Sequence, residues 1–341
     1  MPSKVVKSPF NFYPFTTTIA FSQLQIGKYT MLQRWQQLQI IAKQKLSNIP
    51  LYSLPTVALV EYILEHKKFP THINKYCIAL TNSIDFVKCT TAFIAIDVAI
   101  ASARKGKKKD VQPLPAYIMH SGNNEVILEK DVVAKHCFLN TDDGPIYISK
   151  GSTIQEGVCL RGPIYVGQNT TIKMGATIYA NTIIGNNCIV GGEVKNSIIM
   201  NNTNKAHYGY LGDSMVGEWC NLGAGTTNSN IKNNCSSVML GLGSEEVNAG
   251  FKFGTLIGHY SRTAINTAIN TGTVMGISCN IFANGLTPKI LPNFSWGVTG
   301  QKYIFDKAIN DIEKWMLLKN VNLNKATINQ LKKIYNEPIR T

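Results

Sequence analysis

Side chains able to move protons, hold metals or attack electrophiles are sparse in this 341-residue chain. Its six histidines form no H-E-x-x-H or similar ligand pattern. Eight cysteines (Cys77, Cys89, Cys137, Cys159, Cys188, Cys220, Cys235 and Cys279) include no C-x-x-C pair. Scattered thiols of this kind read as small apolar side chains in a reducing compartment, not as a disulfide or zinc framework. One histidine stands among groups suited to polar small molecules. His207 lies in Lys205-Ala206-His207-Tyr208-Gly209-Tyr210-Leu211-Gly212-Asp213, and G-E-W-C-N-L-G-A-G-T-T-N-S-N follows at 217–230. A neutral imidazole near pH 7 suits removal of a proton from an attacking amine. Lysine offers phosphate a point charge, and side-chain amides read hydroxyls. Standing alone, such a histidine would read as a loop residue bonded to backbone.

The formal net charge of +14 raises the question of nucleic acid. Lys and Arg are spread along the chain, however, and the dense run Arg104-Lys105-Gly106-Lys107-Lys108-Lys109 sits ahead of Pro113 and Pro115, as a solvated linker would. No aromatic-interleaved basic motif accompanies it, so no nucleic-acid partner is expected. Sugar phosphates, nucleotides or coenzyme A satisfy the basic balance equally well. No run of eighteen apolar residues suggests a membrane span. The start, MPSKVVKSPF, lacks the apolar stretch of a signal peptide, and a cytoplasmic protein is expected.

The elements that must position these groups are repetitive. Stepping by six from Ile148 gives Ile154, Leu160, Val166, Ile172, Ile178, Ile184 and Val190. Eight aliphatic positions in one chosen phase arise by chance on the order of 1 in 10⁴ or less. Gly, Asn, Ser and Thr fill the intervals, as in V-G-Q-N-T-T and I-I-G-N-N-C. A period of six fits neither an amphipathic helix nor a lone strand. It fits short strands that each turn one aliphatic side chain inward, with Gly/Asn corners between them, three strands making one triangular coil. The phase returns at Val216 and Leu222, then at Ile257, Thr263, Ile269, Met275 and Ile281. Two interruptions are therefore expected, at roughly 195–210 and 228–254, and loops on a rigid frame are where chemistry usually sits. The expected fold class is mainly β: a left-handed parallel β-helix of hexapeptide repeats, with a small N-terminal α/β domain and a C-terminal helix. Spacing alone does not give the hand, which comes from the resemblance described below.

The flanks differ in texture. Residues 31–44 read as an amphipathic helix and 55–66 as a strand then a helix, whereas 90–103 is too apolar to assign a type. Ile127, Val132 and Val133 are candidate early strand positions leading into the repeat. Ile304, Ala308, Ile312 and Trp315 recur at helical spacing, consistent with a C-terminal helix covering the β-helix. The expected organisation is 1–120 α/β, 121–300 β-helix and 301–341 helical.

The K-A-H…Y-L-G-D and N-L-G-A-G blocks resemble the C-terminal domain of the bacterial bifunctional enzymes of UDP-N-acetylglucosamine synthesis. Those enzymes join glucosamine-1-phosphate acetyltransferase to N-acetylglucosamine-1-phosphate uridylyltransferase. A related group of sugar nucleotidyltransferases with a C-terminal left-handed β-helix is closer still, through G-P-I-Y-I (144–148), L-R-G-P (160–163), G-G-E-V-K-N-S (191–197), N-T-G-T-V-M-G (270–276) and F-S-W-G (294–297). The resemblance spans about 140 to 300. It implies a cytoplasmic homotrimeric transferase with sites between subunits, using acetyl-CoA as co-substrate and acting on an amino-sugar phosphate in nucleotide-sugar or cell-envelope precursor synthesis. It makes His207 the catalytic base. It assigns Lys195, Tyr210, Asn221, Asn230, Lys232 and Arg161 to the sugar phosphate, and Ala224, Gly223 and Ser261 to the coenzyme.

The chain departs from the pattern in places. Asn230-Ile231-Lys232 stands where the family has N-Y-D, and Arg161 is the candidate for an arginine that precedes the K-A-H block. The Gly-rich phosphate loop L-x-x-G-x-G-T-R-M and the Mg²⁺-binding aspartate of a nucleotidyltransferase are not visible near the start. Thr17-Thr18-Ile19 and Gln25 occupy positions where the related group carries T-R-P and a second arginine. The N-terminal domain therefore reads as shortened and inactive. Two alternatives stand beside acetyl transfer: a UTP- or dTTP-dependent sugar-1-phosphate nucleotidyltransferase requiring Mg²⁺, and a non-catalytic trimeric β-helix scaffold.

Overall fold

The computed structural model describes residues 11–104, 111–243 and 245–338. The basic run Lys105–Lys109 and the first ten residues lie outside the described residues. At the centre is a parallel β-helix of about ten turns. Its three faces are sheets of ten, eight and six strands, with a two-stranded continuation of the third.

The six-residue step becomes geometry here. Ile148, Val166 and Ile184 pair in register on the first face. Ile154, Ile172 and Val190 do so on the second, and Leu160 and Ile178 on the third. All eight are buried in one aliphatic column. Parallel strands this short have no helix crossovers to cover them, so the corners must turn within a few residues. Asn169, Asn187 and Asn202 take positive φ at successive corners, a conformation Asn tolerates better than β-branched residues. Later phases hold as well: Ile199, Val216, Ile257 and Met275 continue the first face.

The two interruptions differ in kind. The one at 228–254 is an insertion carrying an antiparallel hairpin, Met239–Leu242 with Glu245–Asn248. The one at 195–210 is no inserted loop. The first-face register runs from Ile184 to Ile199 and then to Val216, steps of fifteen and seventeen residues where the earlier coils take eighteen. Shortened corners, chiefly Gly191-Gly192, shift the phase, and a fixed six-residue frame cannot distinguish a deletion from an insertion.

Each face meets different surroundings. On the first, the outward side chains Tyr147, Tyr165, Ile183, Ile198, Met215, Leu256 and Val274 join the core of the N-terminal α/β region. That region contains α1 (Met31–Ala42), α2 (Val57–His66), α3 (Ser83–Lys88) and α4 (Thr90–Ala103), with a small antiparallel pair at Ser53–Pro55 and Cys77–Ala79. The segment whose type the sequence left open is thus α4, buried enough to read as apolar on most sides. Thr30 and Gln33 form a reciprocal cap that starts α1. The buried pair Arg34–Asp97, 2.7 Å apart, ties α1 to α4.

The upper coils of the second face are covered by α5 (Phe305–Leu317) and α6 (Lys325–Asn336). Sequence reading expected one C-terminal helix, and the structure has two. α6 buries only Leu331 and Ile334 fully, a stripe too thin to read as periodicity. Among the described residues the third face has no such cover. Its outward Met119 and Phe138 are exposed, and Tyr179 is at the margin of exposure. No helix among the described residues is long and apolar enough to cross a membrane.

Candidate functional site

Lys195 and Tyr210 lie on this uncovered face, where the strands Glu193–Lys195 and Tyr210–Gly212 pair in register. Val194 and Leu211 point inward between them, so alternation sends Lys195 and Tyr210 out. Lys195 is exposed, its ammonium 5.7 Å from the Tyr179 ring centroid. Tyr210 is half-buried. Burial, reinforced by Asp213 and Glu193, pushes its phenol up to about 12, so it acts as a neutral hydrogen-bonding group.

Asn230 reaches this face from the start of the insertion. Its amide donates to the Tyr210 hydroxyl at 2.8 Å and to Asp213 at 2.5 Å. Asp213, almost fully buried, also accepts from Asn196 at 2.6 Å and faces Lys252 at 3.7 Å. Sequence reading assigned no role to Asp213, Asn196 or Lys252, although Asp213 belongs to the quoted Y-L-G-D block. Lys252 lies on the far side of an insertion, and no spacing argument could have brought it here. Just inside, Asn228 accepts from the Gly212 N–H at 2.8 Å and donates to the Gly212 carbonyl at 3.0 Å. Its side chain replaces a backbone rung where the third sheet is split.

His207 and Tyr208 protrude from the 206–209 corner between the second and third faces. Both are exposed, Tyr208 at 80%. The His207 imidazole makes no hydrogen bond to any described residue, which leaves both ring nitrogens available. One coil above, Ala224 occupies the equivalent corner, and the two corners are linked by the Gly225 N–H to the Tyr208 carbonyl at 3.1 Å. The Ala224 carbonyl accepts from Asn266 at 2.7 Å, whereas its N–H has no partner among the described residues. Gly223 is required by packing, because a Cβ there would come within 2.6 Å of the Ala264 carbonyl carbon on the next coil.

Lys205, two residues before His207, is the surprise of the corner. It occupies an inward position of the second face, paired with Val190, and is 3% exposed. Its ammonium donates to the carbonyls of Gly191 at 2.8 Å and His207 at 2.9 Å. Burial pulls its pKa down from 10.5 to about 8, with Glu193 opposing the fall.

The remaining expected site residues lie elsewhere. Ser261 is inside the prism, donating to the Gly276 carbonyl at 2.9 Å and accepting from the Cys279 N–H at 3.1 Å. It braces two successive coils and presents no hydroxyl to a coenzyme. Asn221 sits on the second face between Asn204 and Arg262, not with Lys195 and Tyr210. The Lys232 ammonium closes its own loop onto the Ser237 carbonyl. Arg161 shares the third face, but it pairs with Asp143 at 2.7 Å and stands two strands from Lys195, about 10 Å away at the usual strand spacing. Of the inferred set, the structure therefore gathers Tyr210 and Asn230 by direct contact, Lys195 beside them, and His207 with Ala224 at the adjoining corner.

The N-terminal positions of interest are engaged internally. Gln25 accepts from Asn201 at 3.2 Å and donates to the Gly27 carbonyl at 3.3 Å, while Gln330 of α6 donates to the carbonyls of Thr17 and Thr18. Beside them lies a buried junction. His259 accepts the Glu218 N–H on Nδ1 at 2.8 Å, so Nε2 carries the proton and donates to the Phe15 carbonyl at 2.9 Å. Burial pulls His259 down to about 4 and lifts Glu218 to about 7.

Over 94 residues, 28% of this chain, the sequence is 34% identical to "Bifunctional protein GlmU" of Methanococcus aeolicus. The aligned stretch spans 23% of that protein's length. No family model matches the chain. The parallel β-helix and this partial match fit a GlmU-like β-helix at the coarse level only, and are compatible with a transferase.

Proposed function

We propose that this protein is an acetyl-CoA-dependent N-acetyltransferase acting on an amino-sugar phosphate. The observation that carries this reading is the corner pair: an imidazole at His207 and, one coil above, a backbone N–H at Ala224, both unengaged among the described residues. Adjacent coils stand about 5 Å apart. A thioester carbonyl held on the Ala224 N–H would lie within reach of an amine whose proton His207 removes, and the donor would stabilise the oxyanion that forms. Lys195 supplies the cation for a phosphate, and the Tyr210–Asn230–Asp213 cluster supplies donors and acceptors for sugar hydroxyls.

The same reading makes the protein a homotrimer. Its own chain covers the first face and the upper part of the second, and the third carries both Lys195–Tyr210 and the uncovered Met119, Phe138 and Tyr179. A second copy packed there would dry the site and bury apolar surface that water now meets.

Thiol release from acetyl-CoA with glucosamine-1-phosphate as acceptor tests the proposal, with thermal-shift titration alongside. Turnover should fall by about 100-fold or more in His207→Ala while its melting temperature holds. Undiminished turnover in that variant would remove His207 from the chemistry. If neither acetyl-CoA nor any hexosamine phosphate raised the melting temperature, the non-catalytic scaffold would replace this proposal.

A further inference from the structure

The inward column of the second face runs Ala134, Ile154, Ile172, Val190, Lys205. An aliphatic residue would serve at Lys205, and a buried ammonium is costly unless its protons are used. The use lies at the corner. Where the corners along this edge keep their full length, the upper one donates a backbone bond to the one below: Gly175 to Glu156 and Gly225 to Tyr208 at 3.1 Å, and Asn266 to Ala224 at 2.7 Å. Beneath His207 that bond is absent. The underlying Gly191-Gly192 corner is two residues shorter than its neighbours, and no N–H of residues 206–209 donates to it among the described residues. The Lys205 ammonium spans the gap, joining the Gly191 carbonyl to the His207 carbonyl. Gly192 permits this close approach, since a Cβ there would lie 2.4 Å from the Tyr208 Cα and 3.0 Å from the Lys205 ammonium nitrogen.

We infer that Lys205 is a positioning residue, whose ammonium replaces the missing corner rung and fixes the main chain that presents His207. The inference rests on the proposed role of His207. It also makes a claim about the corner that holds whatever the acceptor is.

The test uses the full-length protein as Lys205→Met, an unbranched apolar replacement that fits the column, and Lys205→Gln, which keeps a donor should the methionine variant fold poorly. Two readouts are taken. In acetyl transfer, kcat should fall by about 10- to 100-fold with KM for either substrate changed less than about 2-fold, as expected for a misplaced catalytic group. In amide hydrogen exchange, the Gly225 and Glu193 N–H groups, which donate to the Tyr208 and Gly209 carbonyls of this corner, should exchange at least about 10-fold faster than in the parent protein, with Ile198–Ile199 and Met215–Val216 unchanged. Accelerated exchange in the variants, with no acetyl transfer by the parent protein, would sustain the positioning role and sink the proposed activity. Exchange at Gly225 and Glu193 matching the parent, or a kcat loss accompanied by a proportional loss of melting temperature, would overturn the inference.

Discussion

Replacing His259 by asparagine should make the protein gain stability on mild acidification relative to the parent. His259 is fully buried, with Nδ1 committed to the Glu218 N–H. Burial lowers its pKa from the ordinary 6.5 to about 4. The unfolded chain therefore binds a proton near pH 6.5 that the folded chain refuses until about 4, and stability falls as pH drops through that window. At roughly 1.4 kcal/mol per unit the loss approaches 3 kcal/mol. Glu218 has the opposite sign. Burial, opposed by the bond from Asn201, raises it from 4.5 to about 7. Its contribution is fully present below pH 4.5 and is lost as pH rises through 7. The magnitude is again about 3 kcal/mol, so the two nearly cancel between pH 7 and 4.5 in the parent protein. Asparagine preserves the packing role, because Asn186, Asn201 and Asn293 accept the equivalent corner N–H in other coils. His259→Asn then leaves Glu218 uncompensated and should gain about 2–3 kcal/mol relative to the parent between pH 7 and 4.5. Glu218→Gln should lose a similar amount over that range. Urea unfolding followed by tryptophan fluorescence at half-unit pH steps measures both differences. Profiles of parent and variants running parallel from pH 7 to 4.5 would show that these groups do not titrate as their burial requires.

Two further outcomes are expected. Charging the uncovered face with Phe138→Glu and Tyr179→Glu together should shift the protein to monomer in sedimentation velocity without unfolding it; an unchanged parent trimer would place the subunit interface elsewhere. Asp97→Ala should cost about 3–5 kcal/mol in urea unfolding by stranding the buried Arg34, whereas Arg34→Met with Asp97→Leu should cost far less, because the pair then leaves no unpaired charge.

How much was legible beforehand depends on the length scale of each signal. The column from Ile148 to Val190 could be read directly, because a coil repeats its own inward positions and solvent enforces them residue by residue. Tyr210 and Asn230 were legible only as members of a block, and their contact was not, since twenty residues of chain separate them. Asp213 gave no separate signal because its partners come from three segments: Asn196 on the same face, Asn230 at the start of the insertion and Lys252 at its end. Ser261 shows the converse. A serine beside a site motif looks available until the coil turns it inward.

The sequence by itself determined the prism, because burial of one aliphatic residue in six is a local requirement that each short strand meets alone. Gly and Asn between the strands determined the corners for the same reason. What only the tertiary structure decided was which surface stays open and what occupies it. Covering the first face needs α1 to α4, covering the upper second face needs α5 and α6, and the third face is what the described residues leave uncovered. Lys205 belongs to the same class. Its composition says cation, its register says core, and only the stacking of a shortened corner beneath His207 shows why a charge is kept inside an aliphatic column.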